Sequence, residues 1–193
     1  MMSHLSYPWR MATDRDSVLL AAGGVLSRQP TAAMDEIARA AGISRATLHR
    51  LFPGRDALVR EVAALALHRM SEALDSAAID QGDPIEALRR LADAVIPNAA
   101  TIAFLAGENR LFDDTAINDA WDALDARVVA LFLRGQQSGA FRVELTAAWL
   151  SEAFFDLLAG VGWAVQEGRL APRDSHHALT ELFLGGALRR DPA

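Results

Sequence analysis

The chemistry-bearing residues of this chain gather in one short stretch. Between Ala41 and Phe52 the sequence reads AGISRATLHRLF, in which Ser44, Arg45, Thr47, His49 and Arg50 supply hydrogen-bond donors while Leu48, Leu51 and Phe52 are apolar. Gly42 can take the left-handed conformation that ends a helix at little penalty. Ser44 is a good N-cap for the helix that follows, and Ile43 ahead of it is placed to pack on Leu48 as a hydrophobic staple. At about 100° per residue, Leu48, Leu51 and Phe52 fall on one side of that helix, Ala46, His49 and Arg50 opposite, with Arg45 and Thr47 flanking. Two short helices joined by a three- to four-residue turn containing glycine form a helix-turn-helix. Two readings fit these residues alone: an amphipathic helical hairpin with a solvated arginine face, or duplex recognition, in which the second helix enters a major groove about 12 Å wide and offers donors from its N-terminal half. Small Ala46 permits close approach to base edges or a thymine methyl. Arg45 and Arg50 reach guanine or phosphate, and Thr47 and His49 reach phosphate or a base.

Other chemistries find little support. There is no cysteine, which excludes disulfides, zinc–thiolate sites and thiol catalysis. No G-x-S-x-G or H-E-x-x-H occurs, and His4, His49, His68, His176 and His177 show no paired spacing to acids on one face. Gly160-x-Gly162 lacks the third glycine and the preceding strand of a dinucleotide loop. No catalytic residue, metal or cofactor is expected, and the chain is not read as an enzyme. The 19 basic residues are all arginine, and the net charge is −6. Residues 1–55 hold seven arginines against Asp14, Asp16, Asp35 and Glu36, a net +3, so residues 56–193 carry −9. A basic front on an acidic body suits a module that faces nucleic acid, attached to a part that does not.

The elements that must position these groups are helical. Alanine and leucine recur at helical spacing throughout, and no run alternates with period two over a strand length. The pattern predicts an all-α fold of about nine helices, an N-terminal three-helix helix-turn-helix domain followed by a larger helical body. Residues 1–12 are expected to be a loose arm, 13–55 the DNA-binding domain and 56–193 the body. The helices are expected near Asp14–Arg28 (capped by Thr13 or Asp14), Met34–Ala41, Arg45–Phe52 and Asp56–Ala78. A fifth is opened by Asp83-Pro84-Ile85-Glu86 and is separated by Pro97 from a sixth near Asn98–Glu108. The last three are expected near Ile117–Ser138, Thr146–Glu167 and Arg173–Leu188. No apolar run approaches ~20 uncharged residues and no signal-peptide core precedes Met11, so a cytoplasmic protein without a membrane span is expected.

The flanks of the opening stretch carry a family resemblance. The pattern M34-x2-I37-A38-x2-A41-G42-I43-S44-x-A46-T47-L48-H49-R50-x-F52-P53-x-R55-x2-L58 resembles the TetR/AcrR family of bacterial transcriptional regulators, and V18-L19-x-A21-A22 is similar to the family's first helix. The resemblance implies a homodimeric repressor that binds double-stranded DNA at a palindromic operator and is released by a small apolar or amphipathic effector, with the larger helical body as the ligand-binding and dimerisation domain and the fourth helix as the lever. Carried over residue by residue, Ser44, Arg45, Thr47, His49, Arg50 and Arg55 stand where family members contact operator; Ala46 and Thr31 complete the expected DNA-facing set. His49 stands where tyrosine is common and still donates to phosphate. Leu51 stands where His or Tyr is common and cannot, so one backbone contact is lost. Ala33 replaces a capping Ser or Thr, and the second helix is expected to lean on Thr31 instead.

In the body, His68, Phe104, Trp121, Phe132, Phe155 and Trp163 are the candidate lining of an apolar ligand pocket, with Asn98, Thr101, Glu108, Asn109 and Arg110 as further polar candidates. Most of the body's bulky groups, among which Phe112, Phe141 and Trp149 also count, are expected in the core. Glycines inside a helical pattern each cost about 1 kcal/mol against alanine, which calls for a packing reason. Gly160, Gly162, Gly185 and Gly186, with Phe154 and Phe183, are therefore assigned to close helix approach in a dimer interface. Arg89-Arg90 and Arg189-Arg190 are read as solvated surface. The competing readings are a DNA-bound activator or architectural protein, and a helical carrier or enzyme with no DNA role.

Overall fold

The computed structural model describes residues 15–108, 111 and 114–189. The N-terminal arm, the Thr13 or Asp14 cap, Asn109, Arg110, Phe112 and Arg190 lie outside the described residues. Among those described, nine α-helices follow one another: α1 (Arg15–Arg28), α2 (Met34–Ala40), α3 (Arg45–Leu51), α4 (Arg55–Ala77), α5 (Pro84–Val95), α6 (Ala99–Ala106), α7 (Thr115–Gln137), α8 (Ala147–Gln166) and α9 (Ser175–Ala187). The expected all-α architecture is the one observed.

Local sequence explains most helix starts. Asp83 accepts from the backbone N–H groups of Ile85 and Glu86 at 2.9 and 3.1 Å, and Pro84 occupies the first helical position of α5. Asp114 caps α7 by accepting from Ile117 N–H, and Thr146 caps α8 by accepting from Trp149 N–H. Pro97 does not open a gap between α5 and α6. A single 3₁₀ turn, Ile96–Asn98, carries one helix into the next, with the proline near its start where a missing N–H costs little.

Two hydrophobic clusters form, and α4 belongs to both. Val18, Leu19, Ala22 and Leu26 of α1, Ile37 and Ala38 of α2, Leu48 of α3 with Phe52, and Leu58, Val59, Val62 and Ala63 of α4 make the N-terminal core. Leu67, Met70 and Leu74 of the same helix enter the body core. At 23 residues α4 is about 35 Å long, so its first two turns pack in the N-terminal core and its remainder in the body core. Phe104 and Leu111 also join the N-terminal core.

Several sequence assignments change once packing is known. A chain of ring contacts runs through the body from Trp121 to Phe155, Phe154, Phe183, Phe132 and Phe141, with centroids 4.7–5.7 Å apart. Phe132 is therefore core, not pocket lining, and Phe154 and Phe183 are core, not dimer contacts. Gly162 serves an intramolecular contact: a Cβ there would stand 2.4 Å from the Ala99 carbonyl oxygen, so its absence lets α8 lie against the start of α6. Arg90 is not solvated surface. Its Nε donates to Ala77 O at 2.8 Å and its Nη2 to Ala78 O and Gln81 O, both at 3.0 Å. This guanidinium satisfies carbonyls left over at the end of α4, where Ala78 is held in the left-handed region at φ 46°.

By length and composition α8 is apolar enough to cross a membrane, yet 44% of its apolar window is buried inside the fold. It packs on α6, α7 and α9 and carries Glu152 and Asp156, the pattern of a central core helix.

Candidate nucleic-acid interface

The turn between α2 and α3 is built as the sequence predicts. Gly42 sits at φ 67°. Its N–H donates to Arg39 O at 3.1 Å, and Ile43 N–H donates to Ala38 O at 3.0 Å. These two bonds form a Schellman motif and need a left-handed residue at Gly42. Ser44 Oγ accepts from Thr47 N–H at 3.0 Å and lies 2.9 Å from the Thr47 hydroxyl. The entry into α3 is thus fixed by backbone bonds on one side and a side-chain cap on the other.

Below this turn Leu48 and Phe52 are fully buried, and Leu51 packs half-buried against the same core. Arg15 closes the end of the helix. Its guanidinium lies 4.6 Å over the Phe52 ring, bonds both carboxylate oxygens of Glu61 and donates to Leu51 O. Above, Ser44, Arg45, Ala46, His49 and Arg50 are exposed, with Thr47 half-buried beside its cap. The inward and outward faces of the recognition helix coincide with the sequence reading. Leu51, facing the core, offers no phosphate donor.

Three neighbouring residues differ from expectation. Helix α2 does not lean on Thr31, which is exposed in the preceding turn. The Glu36 carboxylate instead accepts from Ala33 N–H at 2.7 Å, which is the glutamate half of a capping box. Arg55 does not join the outward face of α3. It is half-buried and donates to the carbonyls of Ala32, at 2.9 Å, and Pro30, clamping the α1–α2 connection to the start of α4. Arg45 is exposed but not solitary. Its Nε is 3.1 Å and its Nη1 3.2 Å from the two carboxylate oxygens of Asp35 on α2. The sequence offered no signal for this pair beyond the presence of an acid ten positions earlier.

The body contains a cavity of about 300 Å³. Leu67 of α4, Ile102, Leu105 and Ala106 of α6, Leu111 in the connection that follows, Ile117, Asn118 and Trp121 of α7, and Glu152, Phe155, Asp156 and Ala159 of α8 line it. Trp121 and Phe155 form an aromatic wall, with ring centroids 4.7 Å apart and planes tilted by 59°. Glu152 and Asp156, one turn apart and exposed, add two carboxylates to an otherwise apolar lining. Of the six expected lining residues, Trp121 and Phe155 line this cavity. Phe104 belongs to the N-terminal core, and Trp163 is 46% exposed and does not line it. His68 lies on a separate depression of about 410 Å³ between α4 and α7, 3.5 Å from Glu72. Leu105, Leu111, Ile117, Glu152 and Asp156 were missed by the sequence reading, since nothing local marks them. Leu105, Leu111 and Ile117 also pack in or against the N-terminal core.

Comparison with known proteins agrees with this geometry. Residues 19–62 match the family model of bacterial regulatory proteins, tetR family. The chain is 35% identical over 161 residues to the HTH-type transcriptional regulator NfxB of Pseudomonas aeruginosa, covering 82% of this chain and 86% of NfxB. It is 31% identical over 159 residues to the HTH-type transcriptional repressor LfrR of Mycolicibacterium smegmatis, covering 80% of each. The crystal structure of LfrR in complex with proflavine superposes with a TM-score of 0.75 at 26% identity, over 91% of this chain and 97% of that one. The chain belongs to the TetR family and is a ligand-responsive, DNA-binding transcriptional regulator of the helix-turn-helix type.

Proposed function

We propose that this chain is a homodimeric repressor that holds a palindromic operator through α3 and releases it when a planar aromatic cation enters the cavity between α6, α7 and α8. Ser44, Arg45, Ala46, Thr47, His49 and Arg50 form the DNA-facing set. In a dimer two such helices stand about one helical turn apart, ~34–36 Å, in successive major grooves. A DNA-reading unit, 13–55, is distinguished from a ligand-binding body, 56–193, and α4, which that division gives to the body, packs in both cores. Such a regulator works in the cytoplasm, where its operator is.

The observation that carries the release step is the shared wall. Leu105, Leu111 and Ile117 face the cavity and pack with the N-terminal core, so a ligand that displaces them displaces the seat of α1. A ligand shifts the balance between DNA-bound and released states only by its differential affinity for the two. A filled and an empty cavity with one common wall provide that difference. The effector class is supported by the Trp121–Phe155 wall, which suits a flat ring system, and by Glu152 and Asp156, which suit a positive charge. The proflavine complex of the related LfrR points the same way.

Dimerisation is supported by what α8 and α9 leave uncovered. Trp149, Gly160 and Trp163 share one side of α8 at helical spacing, and Trp149 and Trp163 are 55% and 46% exposed. On α9, Leu182 is 67% exposed beside exposed Gly185 and Gly186. A Cβ on Gly160, Gly185 or Gly186 would meet nothing within 4 Å inside the protomer. Large apolar side chains next to bare helix backbone fit a tight helix–helix contact with a second copy.

The test is selection from a randomised duplex library with the full chain, followed by footprinting of the winning sequence. A palindromic site protected on one face in two half-sites supports the reading. Absence of sequence-selective binding at low salt contradicts it.

A further inference from the structure

The ion pair between Asp35 and Arg45 joins the first turn of α2 to the first residue of the recognition helix. We propose that Asp35 is a positioning residue: it fixes the Arg45 guanidinium so that Arg45 reads one guanine in each half-site. This inference rests on α3 being the DNA-facing helix.

Both ends of the pair sit at helix starts whose backbone is fixed by side-chain caps. Glu36 accepts from Ala33 N–H at 2.7 Å and sets the start of α2, so the direction of Asp35 is defined. Ser44 capping Thr47 sets the start of α3, so the direction of Arg45 is defined. Between two fixed starts, the carboxylate takes Nε at 3.1 Å and Nη1 at 3.2 Å. One hydrogen bond, from Nη1–H to Oδ2, together with the charge contact at Nε, ties the guanidinium to the α2 side of the turn. Nη2 and the second hydrogen of Nη1 remain for a partner, and a guanine edge presents two acceptors, O6 and N7, for such a pair of donors.

The charge balance separates Arg45 from Arg50. Asp35 places a negative charge on the surface that must approach a polyanion, and it cancels the charge of Arg45. Arg45 therefore contributes little to the general attraction to phosphate, which carries affinity but no sequence information. Arg50 is exposed and makes no ion pair with any described residue. The two arginines of one helix divide the work: Arg50 supplies attraction and Arg45 supplies discrimination. An unpaired arginine at position 45 would have many rotamers and would meet phosphates as readily as bases. Held by Asp35, it meets the groove in one orientation.

The experiment uses the full chain and a duplex selected by the wild-type protein from a randomised library. Each G·C pair of the half-site is replaced in turn, and binding is compared with that of a scrambled duplex for wild type, Asp35→Asn, Arg45→Ala and the double variant. Arg45→Ala identifies the position at which discrimination is lost. At that position Asp35→Asn is expected to reduce discrimination by about tenfold, while scrambled-duplex affinity rises because a negative charge has gone. In the Arg45→Ala background Asp35→Asn no longer changes discrimination. Both side chains are more than half exposed, so the fold tolerates the changes, and thermal melting checks it. If Asp35→Asn leaves discrimination unchanged while Arg45→Ala lowers it, the positioning role is overturned and the DNA-facing reading stands. If Arg45→Ala itself changes neither affinity nor discrimination, both are overturned.

Discussion

Replacing Gly162 by alanine tests the packing that shapes the effector cavity. The added Cβ would stand 2.4 Å from the Ala99 carbonyl oxygen and 2.6 Å from its carbon. Ordinary contact begins near 3.4 Å, so α8 and the start of α6 must part by about 1 Å. The opposing atoms are backbone and no rotamer change relieves them. Overpacking of this kind costs about 1–3 kcal/mol, and a rigid partner places it near the upper end. Alanine returns about 1 kcal/mol of helix propensity. The net expectation is a destabilisation of about 2 kcal/mol, or a fall in Tm of about 4–8 °C for a chain of this size. Gly24→Ala in α1 is the control, because its Cβ would meet only the Arg28 guanidinium at 3.9 Å. It gains propensity without collision and is expected to raise Tm by about 2–4 °C. Melting followed by helical circular dichroism reads both. Ala99 lies one turn before Ile102 and two before Leu105 and Ala106, so the displaced α6 also alters affinity for a cavity ligand. A Gly162→Ala protein that melts at or above the wild-type temperature, while Gly24→Ala behaves as expected, refutes the argument.

Other outcomes follow from the same geometry. Arg50→Ala is expected to weaken binding to the selected duplex and to lower the salt slope by about one per protomer, measured by anisotropy titrations over a salt series. With proflavine as a probe of the proposed effector class, Glu152→Gln with Asp156→Asn is expected to weaken binding of a planar aromatic cation about three- to tenfold, a modest effect because both carboxylates are exposed, while effector-free operator binding is kept. Leu182→Arg places charge on the uncovered face of α9 and is expected to shift the protein from dimer to monomer in sedimentation, with loss of palindrome binding.

The reading head was legible in the sequence because its determinants are local. Gly42 ends α2 and Ser44 starts α3 through bonds to residues within five positions, and the faces of α3 follow from helical spacing alone. What escaped depends on partners brought by folding. Arg90 looks like any surface arginine until α4 ends beneath it. Arg55 looks like a phosphate contact until the carbonyls of Pro30 and Ala32 are seen within its reach. Phe104, Phe132, Phe154 and Phe183 have no sequence feature that separates core from pocket or interface, since an aromatic ring suits all three. Gly162 is a packing glycine, as its cost in a helix suggests, but its neighbour is Ala99 of the same chain and not a second copy. Thr31 was the nearest hydroxyl to α2, yet Glu36 at the third helical position supplies the cap from inside the helix.

The central claim is that the cavity and the reading head are coupled through Leu105, Leu111 and Ile117. Coupling free energy is reciprocal, so one thermodynamic cycle tests it. Proflavine affinity is measured by calorimetry with and without the selected duplex, and duplex affinity by anisotropy with and without saturating proflavine, with proflavine's own binding to the duplex subtracted. The account predicts that proflavine weakens duplex binding by about tenfold or more and that the duplex weakens proflavine binding by the same factor. Proflavine that binds the cavity and leaves duplex affinity unchanged contradicts it.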